Sequence, residues 1–117
     1  MIELAVSRTT AVCAVCDIPV EGGVAALVDG VAVAVFRTYD GSVHALGNVD
    51  PFSGASVLSR GIVGSRGDVP TVSSPMYKQA FDLRTGACLD DSSVSVPAYD
   101  VAVVDGVVLI GSVRRVT

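Results

Sequence analysis

The sequence of 117 residues predicts an all-β fold, an antiparallel sandwich or barrel. Three Asp-Gly pairs, at 29–30, 40–41 and 105–106, lie between runs rich in valine and alanine. Asp-Gly pairs favour tight hairpin turns, because glycine adopts positive φ freely and aspartate tolerates it. No segment shows sustained helical periodicity, and at most a short turn is expected near residues 55–59. Hairpins without helices are typical of sandwiches and barrels.

The first strand is predicted around Val12–Val15, after a loosely held N-terminal segment over residues 1–9. Further strands are predicted over 24–28, 31–37, 42–47, 99–104 and 107–111. The run Val31–Phe36 is apolar at every position, which predicts a central strand covered on both faces. The glycine-rich segment 60–70 matches neither a dinucleotide-binding nor a phosphate-binding loop, so we expect a mobile surface connection there.

The composition is unusually apolar for a small domain. Half of the residues are hydrophobic, only 17% are charged, and the mean hydropathy is +0.60. A chain of this size cannot bury so much apolar surface alone, which predicts an exposed patch that a partner covers. No apolar run reaches the roughly 18 residues of a membrane-spanning helix.

The net charge and the first ten residues indicate which class of partner and which compartment to expect. The formal charge of −4 argues against nucleic acid, because binding to phosphates depends on clustered Lys and Arg. The first ten residues lack the basic and apolar regions of a secretory signal, which predicts a cytoplasmic protein. Three cysteines, an odd number, agree with a reducing compartment.

The cysteines offer little support for a metal or redox site. Cys13 and Cys16 would point to opposite faces of a straight strand and would converge only if the strand bends. No second Cys or His pair completes a zinc site. We therefore expect Cys13, Cys16 and Cys88 to be small buried side chains.

A hydrolase triad of Ser74, His44 and Asp50 is not supported, because no Gly-x-Ser-x-Gly elbow is present. The single histidine, His44, is expected at the rim of a strand. Asp90 and Asp91 are adjacent in a predicted turn, where we expect solvated carboxylates.

Two stretches carry most of the functional information. Residues 48–55 read Asn-Val-Asp-Pro-Phe-Ser-Gly-Ala, and residues 74–82 read Ser-Pro-Met-Tyr-Lys-Gln-Ala-Phe-Asp. They resemble the two cluster-binding loops of Rieske proteins, which read Cys-Pro-His-x-Gly-Ala and Cys-Pro-x-His-Gly followed shortly by Phe-Asp. The retained loop frame is Pro51, Gly54, Pro75, Phe81 and Asp82.

The four ligand positions of this resemblance are all replaced. Asp50 and Phe52 occupy the first Cys and His positions, and Ser74 and Tyr77 occupy the second pair. A Rieske cluster needs two thiolates and two imidazoles, whereas Phe52 donates no electron pair and the other three offer hard oxygens. The resemblance therefore implies one Rieske-like domain over 1–117 with two loop tips and no iron–sulfur cluster. Residues 48–82 would be its degenerate cluster-binding subdomain.

The resemblance is closest to the small subunit of the bacterial NAD(P)H-dependent nitrite reductase. It covers roughly Val12 to Gly111 and is carried by phrases at 23–28, 33–37, 48–55, 58–64, 74–82 and 88–91. This family implies a large partner subunit that carries FAD, an iron–sulfur cluster and sirohaem, with nitrite reduced to ammonium. The chain itself would be an accessory subunit without a catalytic centre or a bound cofactor. Two alternatives are a Rieske-type ferredoxin with unconventional ligands and a stand-alone β interaction module.

Without a cluster, other contacts must hold the two loop tips. We expect Phe52, Met76 and Tyr77 to fill the space of the cluster, and Asp50 and Ser74 to accept hydrogen bonds from backbone N–H groups. The residues expected to dock onto the large subunit are Arg60, Arg66, Met76, Lys78 and Gln79.

Overall fold

The computed structural model describes residues 9–114, and these residues form nine β-strands. In chain order the strands are β1 (Thr10–Ala14), β2 (Gly22–Val28), β3 (Val31–Arg37), β4 (Val43–Gly47), β5 (Ile62–Arg66), β6 (Val69–Ser73), β7 (Ala80–Asp82), β8 (Ala98–Val104) and β9 (Val107–Val113). Two 3-10 turns span Val15–Asp17 and Leu58–Arg60. The predicted all-β fold is confirmed. The segment 1–9 lies outside the described residues except for Thr9, which is exposed and has no regular structure.

The strands form two antiparallel sheets. Six strands pair in the order β1-β9-β8-β4-β3-β2, and three pair in the order β5-β6-β7. The six-stranded sheet curves until its edge strands β1 and β2 approach each other, so that it forms a nearly closed barrel. Within residues 9–114, no helix has the length and hydropathy needed to cross a membrane.

Two of the three Asp-Gly pairs form the predicted tight turns. Asp29 and Gly30, between β2 and β3, have φ of 51° and 80°, and Asp105 and Gly106, between β8 and β9, have φ of 52° and 79°. The third pair behaves differently, because it belongs to a five-residue connection between β3 and β4. There the Asp40 carboxylate organises the loop by accepting a hydrogen bond from the backbone N–H of residue 42 at 3.1 Å.

The buried residues form two cores on opposite faces of β3 and β4. Val33 and Val35 point into the barrel, whereas Ala34 and Phe36 point towards the three-stranded sheet. The barrel core contains Ile18, Val28, Val33, Val35, Ala45, Val108 and Ile110. The second core contains Ala34, Phe36, Leu46, Leu58, Val63, Val72, Phe81, Leu83, Cys88, Val96 and Ala98. The prediction that the 31–36 run is covered on both faces is confirmed for Val33–Phe36, which are fully buried, whereas Val31 is 51% exposed.

The predicted mobile connection over 60–70 was wrong, because most of this segment belongs to the β5–β6 hairpin. Val63 and Val72 pair across the hairpin and are buried in the second core. Gly67 has a φ of 59° in the turn. A Cβ at Gly61 would lie 2.4 Å from the carbonyl oxygen of Ser73, so glycine permits close approach of the backbones. Within β5, Gly64 interrupts the apolar alternation that identifies a strand.

An apolar surface is exposed on the outside of the barrel, in agreement with the composition. Val107 lies opposite Ala14 and Val104, and Leu109 lies opposite Ala11 and Ala102. Residues that pair across antiparallel strands share a face, so these six side chains form one uncharged grid. We call this grid the β9 face: Ala11, Ala14, Ala102, Val104, Val107 and Leu109.

Candidate functional site

The candidate site is the pair of loops that follow β4 and β6. In the first loop, the N–H of Asp50 donates to the carbonyl oxygen of Ala55 at 2.8 Å, and the N–H of Gly54 donates to that of Asp50 at 2.7 Å. The Asp50 side chain accepts a hydrogen bond from the N–H of Phe52 at 2.8 Å. Gly54 has a φ of 77°. The loop is therefore closed by hydrogen bonds to the backbone and side chain of Asp50.

The second loop repeats this plan. The N–H of Ser74 donates to the carbonyl oxygen of Gln79 at 3.0 Å, and the N–H of Lys78 donates to that of Ser74 at 2.9 Å. The Ser74 hydroxyl oxygen accepts from the N–H of Met76 at 3.2 Å. Lys78, at the position equivalent to Gly54, has a φ of 66°. Asp50 and Ser74 thus make the predicted bonds to backbone N–H groups.

A third turn of the same design follows β7. The N–H of Asp82 donates to the carbonyl oxygen of Ala87 and the N–H of Gly86 donates to that of Asp82, both at 2.8 Å. The Asp82 carboxylate accepts from the N–H of Arg84 at 2.8 Å, and Gly86 has a φ of 82°. Two of the three turns therefore place glycine at the residue with positive φ, and only the second loop places a lysine there.

The first two loops are joined by a side-chain hydrogen bond that sequence reasoning missed. The Ser74 hydroxyl donates to Oδ2 of Asp50 at 2.5 Å. Both side chains are almost fully buried, with 1% and 0% of their surfaces exposed. These residues stand at the two cysteine positions of the Rieske pattern, so a direct hydrogen bond occupies the place of a shared metal.

Phe52 fills space beside the loops, as predicted, but Met76 and Tyr77 do not. The Phe52 ring packs against the second core, with its centroid 6.3 Å from that of Phe81. Met76 is 47% exposed and Tyr77 is 59% exposed. The prediction was wrong for these two residues, which lie at the tip of a loop that is closed by backbone hydrogen bonds to Ser74.

The four ligand positions do not fit an iron–sulfur cluster. Phe52 has no donor atom, and Tyr77 points to solvent. The oxygens of Asp50 and Ser74 lie 2.5 Å apart, closer than two ligands of one tetrahedral metal, which are separated by more than about 3 Å. No group of three or more His, Cys, Asp or Glu side chains that could hold a metal occurs among residues 9–114.

The residues expected to dock are in different environments. Arg60, Met76 and Lys78 are exposed. Arg66 is exposed but forms an ion pair with Asp90 at 3.0 Å. Gln79 is half-buried, and within the described part of the chain its buried Oε1 has no hydrogen-bond partner.

Asp90 is more than the solvated turn residue that was expected. Its Oδ2 accepts a hydrogen bond from the N–H of Ala80 at 2.8 Å, at the point where the second loop enters β7. This bond, followed by those from Arg66, lowers the pKa of Asp90. Asp91 is exposed and accepts hydrogen bonds from the N–H and hydroxyl of Ser93, which lower its pKa.

His44 and the residues around it form no nucleophilic centre. His44 lies in β4 opposite Phe36 and is half-buried, in a cleft of about 600 Å³ that Asp40 and Arg84 also line. Burial, and secondly the charge of Arg114, lower the pKa of His44. The Ser74 hydroxyl donates to Asp50 and is therefore not activated by this imidazole.

Asp82 is a buried member of the loop frame. Burial by itself raises the pKa of Asp82, but the hydrogen bonds from Arg84 outweigh it and the pKa is lowered. The Arg84 guanidinium contacts both carboxylate oxygens at 3.2 Å. The Phe-Asp phrase of the Rieske pattern therefore supplies both a core ring and an anchor for the third turn.

The chain does bend between Cys13 and Cys16, because β1 ends in a 3-10 turn. Cys13 is half-buried, Cys88 is buried, and Cys16 is exposed, so the prediction of burial was wrong for Cys16. The turn carries Cys16 away from the barrel core. Burial, and secondly Asp17, raise the pKa of the Cys13 thiol, which disfavours a reactive thiolate.

Comparison with known proteins agrees with this geometry. A family model described as a Rieske-like [2Fe-2S] domain matches residues 8–111. The NADH nitrite reductase small subunit of Salmonella typhimurium is 46% identical over 98 residues, which cover 83% of this chain and 91% of that protein. A Mycobacterium tuberculosis crystal structure, assigned as an NADH-dependent nitrite reductase small subunit, is 50% identical with a TM-score of 0.87. It covers 96% of this chain and 99% of the other.

A region of a much larger protein is also similar. The NAD(P)H nitrite reductase large subunit of Klebsiella oxytoca is 42% identical over 102 residues, which cover 85% of this chain but only 11% of that protein. The two loops with their replaced ligands, the double-sheet fold and these similarities lead to one conclusion. The chain belongs to the Rieske-like family and, within it, to the small subunits of NAD(P)H-dependent nitrite reductases.

Proposed function

We propose that this chain is the accessory small subunit of a cytoplasmic NAD(P)H-dependent nitrite reductase, which reduces nitrite to ammonium. The observation that carries the proposal is the family membership combined with a Rieske site that lacks iron ligands. The buried bond between Asp50 and Ser74 keeps the two loops together without metal. In this proposal the chain transfers no electrons and instead completes the large subunit.

The Klebsiella oxytoca relative supports the partnership with a large subunit. A region similar to this chain is part of a protein named as a large subunit, so the two kinds of unit occur in one polypeptide there. We propose that the large partner of this chain carries FAD, an iron–sulfur cluster and sirohaem. The small chain would dock beside them as one domain, with residues 48–82 as its degenerate cluster-binding subdomain.

The proposal is tested by co-expressing the tagged chain with the nitrite reductase large subunit of the same organism. Nitrite-dependent oxidation of NADH and NADPH is measured for the large subunit with and without the small chain. We expect the large subunit to co-purify, the small chain alone to be colourless, and its addition to raise the rate. A large subunit that is fully active alone and never binds the small chain would overturn the proposal.

The same preparation separates the proposal from a role as a ferredoxin. A ferredoxin would show visible absorption and stoichiometric iron in the small chain alone. Absorption that survives removal of the large subunit would therefore favour the electron carrier.

A further inference from the structure

We propose that Tyr77 and Lys78, at the tip of the second loop, are the main contacts between this chain and the large subunit. The inference rests on the proposed function and adds a surface and a partner chemistry to it. The tip surface consists of Val49, Arg60, Met76, Tyr77 and Lys78. Its binding site on the large subunit would be an apolar pocket with carboxylates at its rim.

The first argument is rigidity. The tip is closed by two backbone hydrogen bonds to Ser74, and Ser74 is itself fixed to Asp50 in the protein interior. Pro75 further limits the conformations of the free loop. Tyr77 is nevertheless 59% exposed. A rigid loop that presents an aromatic side chain to solvent loses little entropy on binding, which is typical of interface anchors.

The second argument is the backbone conformation of Lys78. Its φ of 66° is the left-handed region, where a side chain is strained and glycine is favoured. The equivalent residues of the other two turns are Gly54 and Gly86. Backbone strain at an exposed loop tip often marks a functional residue. We therefore infer that the lysine is present for its side chain, although glycine would be more stable at this backbone conformation.

The third argument is charge. Within residues 48–62 and 74–80, the basic side chains are Arg60 and Lys78, and the acidic one is Asp50. Asp50 is fully buried, so the exposed charge of these segments is entirely positive in a chain of net charge −4. No ion pair to Arg60 or Lys78 is present among residues 9–114. An acidic rim on the partner would complement this surface and steer association.

The β9 face is the rival surface, because it is apolar and exposed but uncharged. The experiment compares the two surfaces by titrating the small chain onto purified large subunit and measuring Kd. The tip variants are Tyr77→Ala and Lys78→Glu, and the rival variant is Val104→Lys. Tyr39→Ala is the matched control, because Tyr39 is 79% exposed and lies beyond the end of β3 opposite to the first loop.

We expect each tip variant to raise Kd by about tenfold or more, and the Tyr39→Ala control to leave it unchanged. The effect of Lys78→Glu should shrink at high salt, whereas that of Tyr77→Ala should not. All variants should have the melting temperature of the natural protein. Weaker binding can then not be attributed to unfolding of the variant.

The outcomes separate two kinds of failure. If the natural chain does not bind the large subunit, the proposed function is wrong. If it binds and both tip variants bind equally well, the tip is not the docking surface. In that case, weaker binding by Val104→Lys would assign docking to the β9 face.

Discussion

The Ser74 hydroxyl donates a 2.5 Å hydrogen bond to Oδ2 of Asp50, which precedes it by 24 residues in the chain. The bond joins two loops with the same backbone design at their equivalent first residues. It is buried, so neither partner can exchange it for water without opening the site. Two loops that resemble the cluster-binding loops of Rieske proteins are thus held together by a hydroxyl and a carboxylate instead of a metal.

Ser74→Ala should lower the free energy of unfolding by about 1–3 kcal/mol, because it leaves a buried carboxylate oxygen of Asp50 without its donor. Urea denaturation measures the change. Ser93→Ala is the control, since its hydroxyl bonds to Asp91 at an exposed site and should contribute less than about 0.5 kcal/mol. Equal losses from the two substitutions would contradict a structural role for the buried bond.

Phe52→Ala should destabilise the protein by about 2–4 kcal/mol, because it removes a ring that packs against the second core and Phe81. Tyr77→Ala should change the free energy of unfolding by less than about 0.5 kcal/mol, since its ring points to solvent. Both values come from denaturation of the isolated chain. A greater loss for Tyr77→Ala than for Phe52→Ala would mean that Tyr77 fills the site after all.

Lys78→Gly should stabilise the protein by up to about 1 kcal/mol, because glycine removes the strain of a positive φ. Gly54→Ala is the matched opposite change, at the equivalent residue of the first loop. A Cβ there meets no atom within 4 Å, so strain alone should cost about 1–2 kcal/mol. Thermal or urea unfolding measures whether Lys78→Gly stabilises and Gly54→Ala destabilises the protein. Stabilisation by Lys78→Ala as large as that by Lys78→Gly would show that φ is not the cause.

His44 should make the stability depend on pH near neutrality. Its pKa is below 6.5 in the folded protein, so the unfolded chain binds the proton more readily. The contribution of His44 to the free energy of unfolding is therefore fully present above pH 6.5. It decreases as the pH falls from 6.5 towards the lower pKa of the folded protein. His44→Gln should flatten this dependence in urea titrations between about pH 7.5 and 5. The carboxylates with lowered pKa, such as Asp82 and Asp90, remain ionised in this range. An unchanged slope in His44→Gln would assign the effect to another group.

The strand pattern of the barrel could be predicted because its signals are local. Asp29-Gly30 and Asp105-Gly106 specify turns by their own φ preferences, and the apolar run from Val31 specifies a buried strand. The β5–β6 hairpin could not be predicted in the same way. Gly64 interrupts the apolar alternation within β5, and the need for glycine at Gly61 comes from the distant Ser73 backbone.

The site was only partly predictable for a related reason. The identities of Asp50 and Ser74 indicate that iron ligands are missing, but not that the two side chains bond to each other. That bond depends on how two loops meet in space. Tyr77 illustrates the same point, because its exposure depends on how the second loop closes and not on its own identity. The repeated turn at Asp82 had a sequence signal in Gly86, which stands four residues later, as Gly54 does after Asp50.

The placement of β3 between two cores has a consequence for how the molecule opens. Val33 and Val35 belong to one core and Ala34 and Phe36 to the other, so β3 cannot leave either layer without weakening both. Partial unfolding of one sheet alone would expose the apolar face of β3 that packs against that sheet. The two layers should therefore melt as one cooperative unit. The amide protons of β3 should exchange with solvent only through global unfolding, with the protection that the global free energy of unfolding sets.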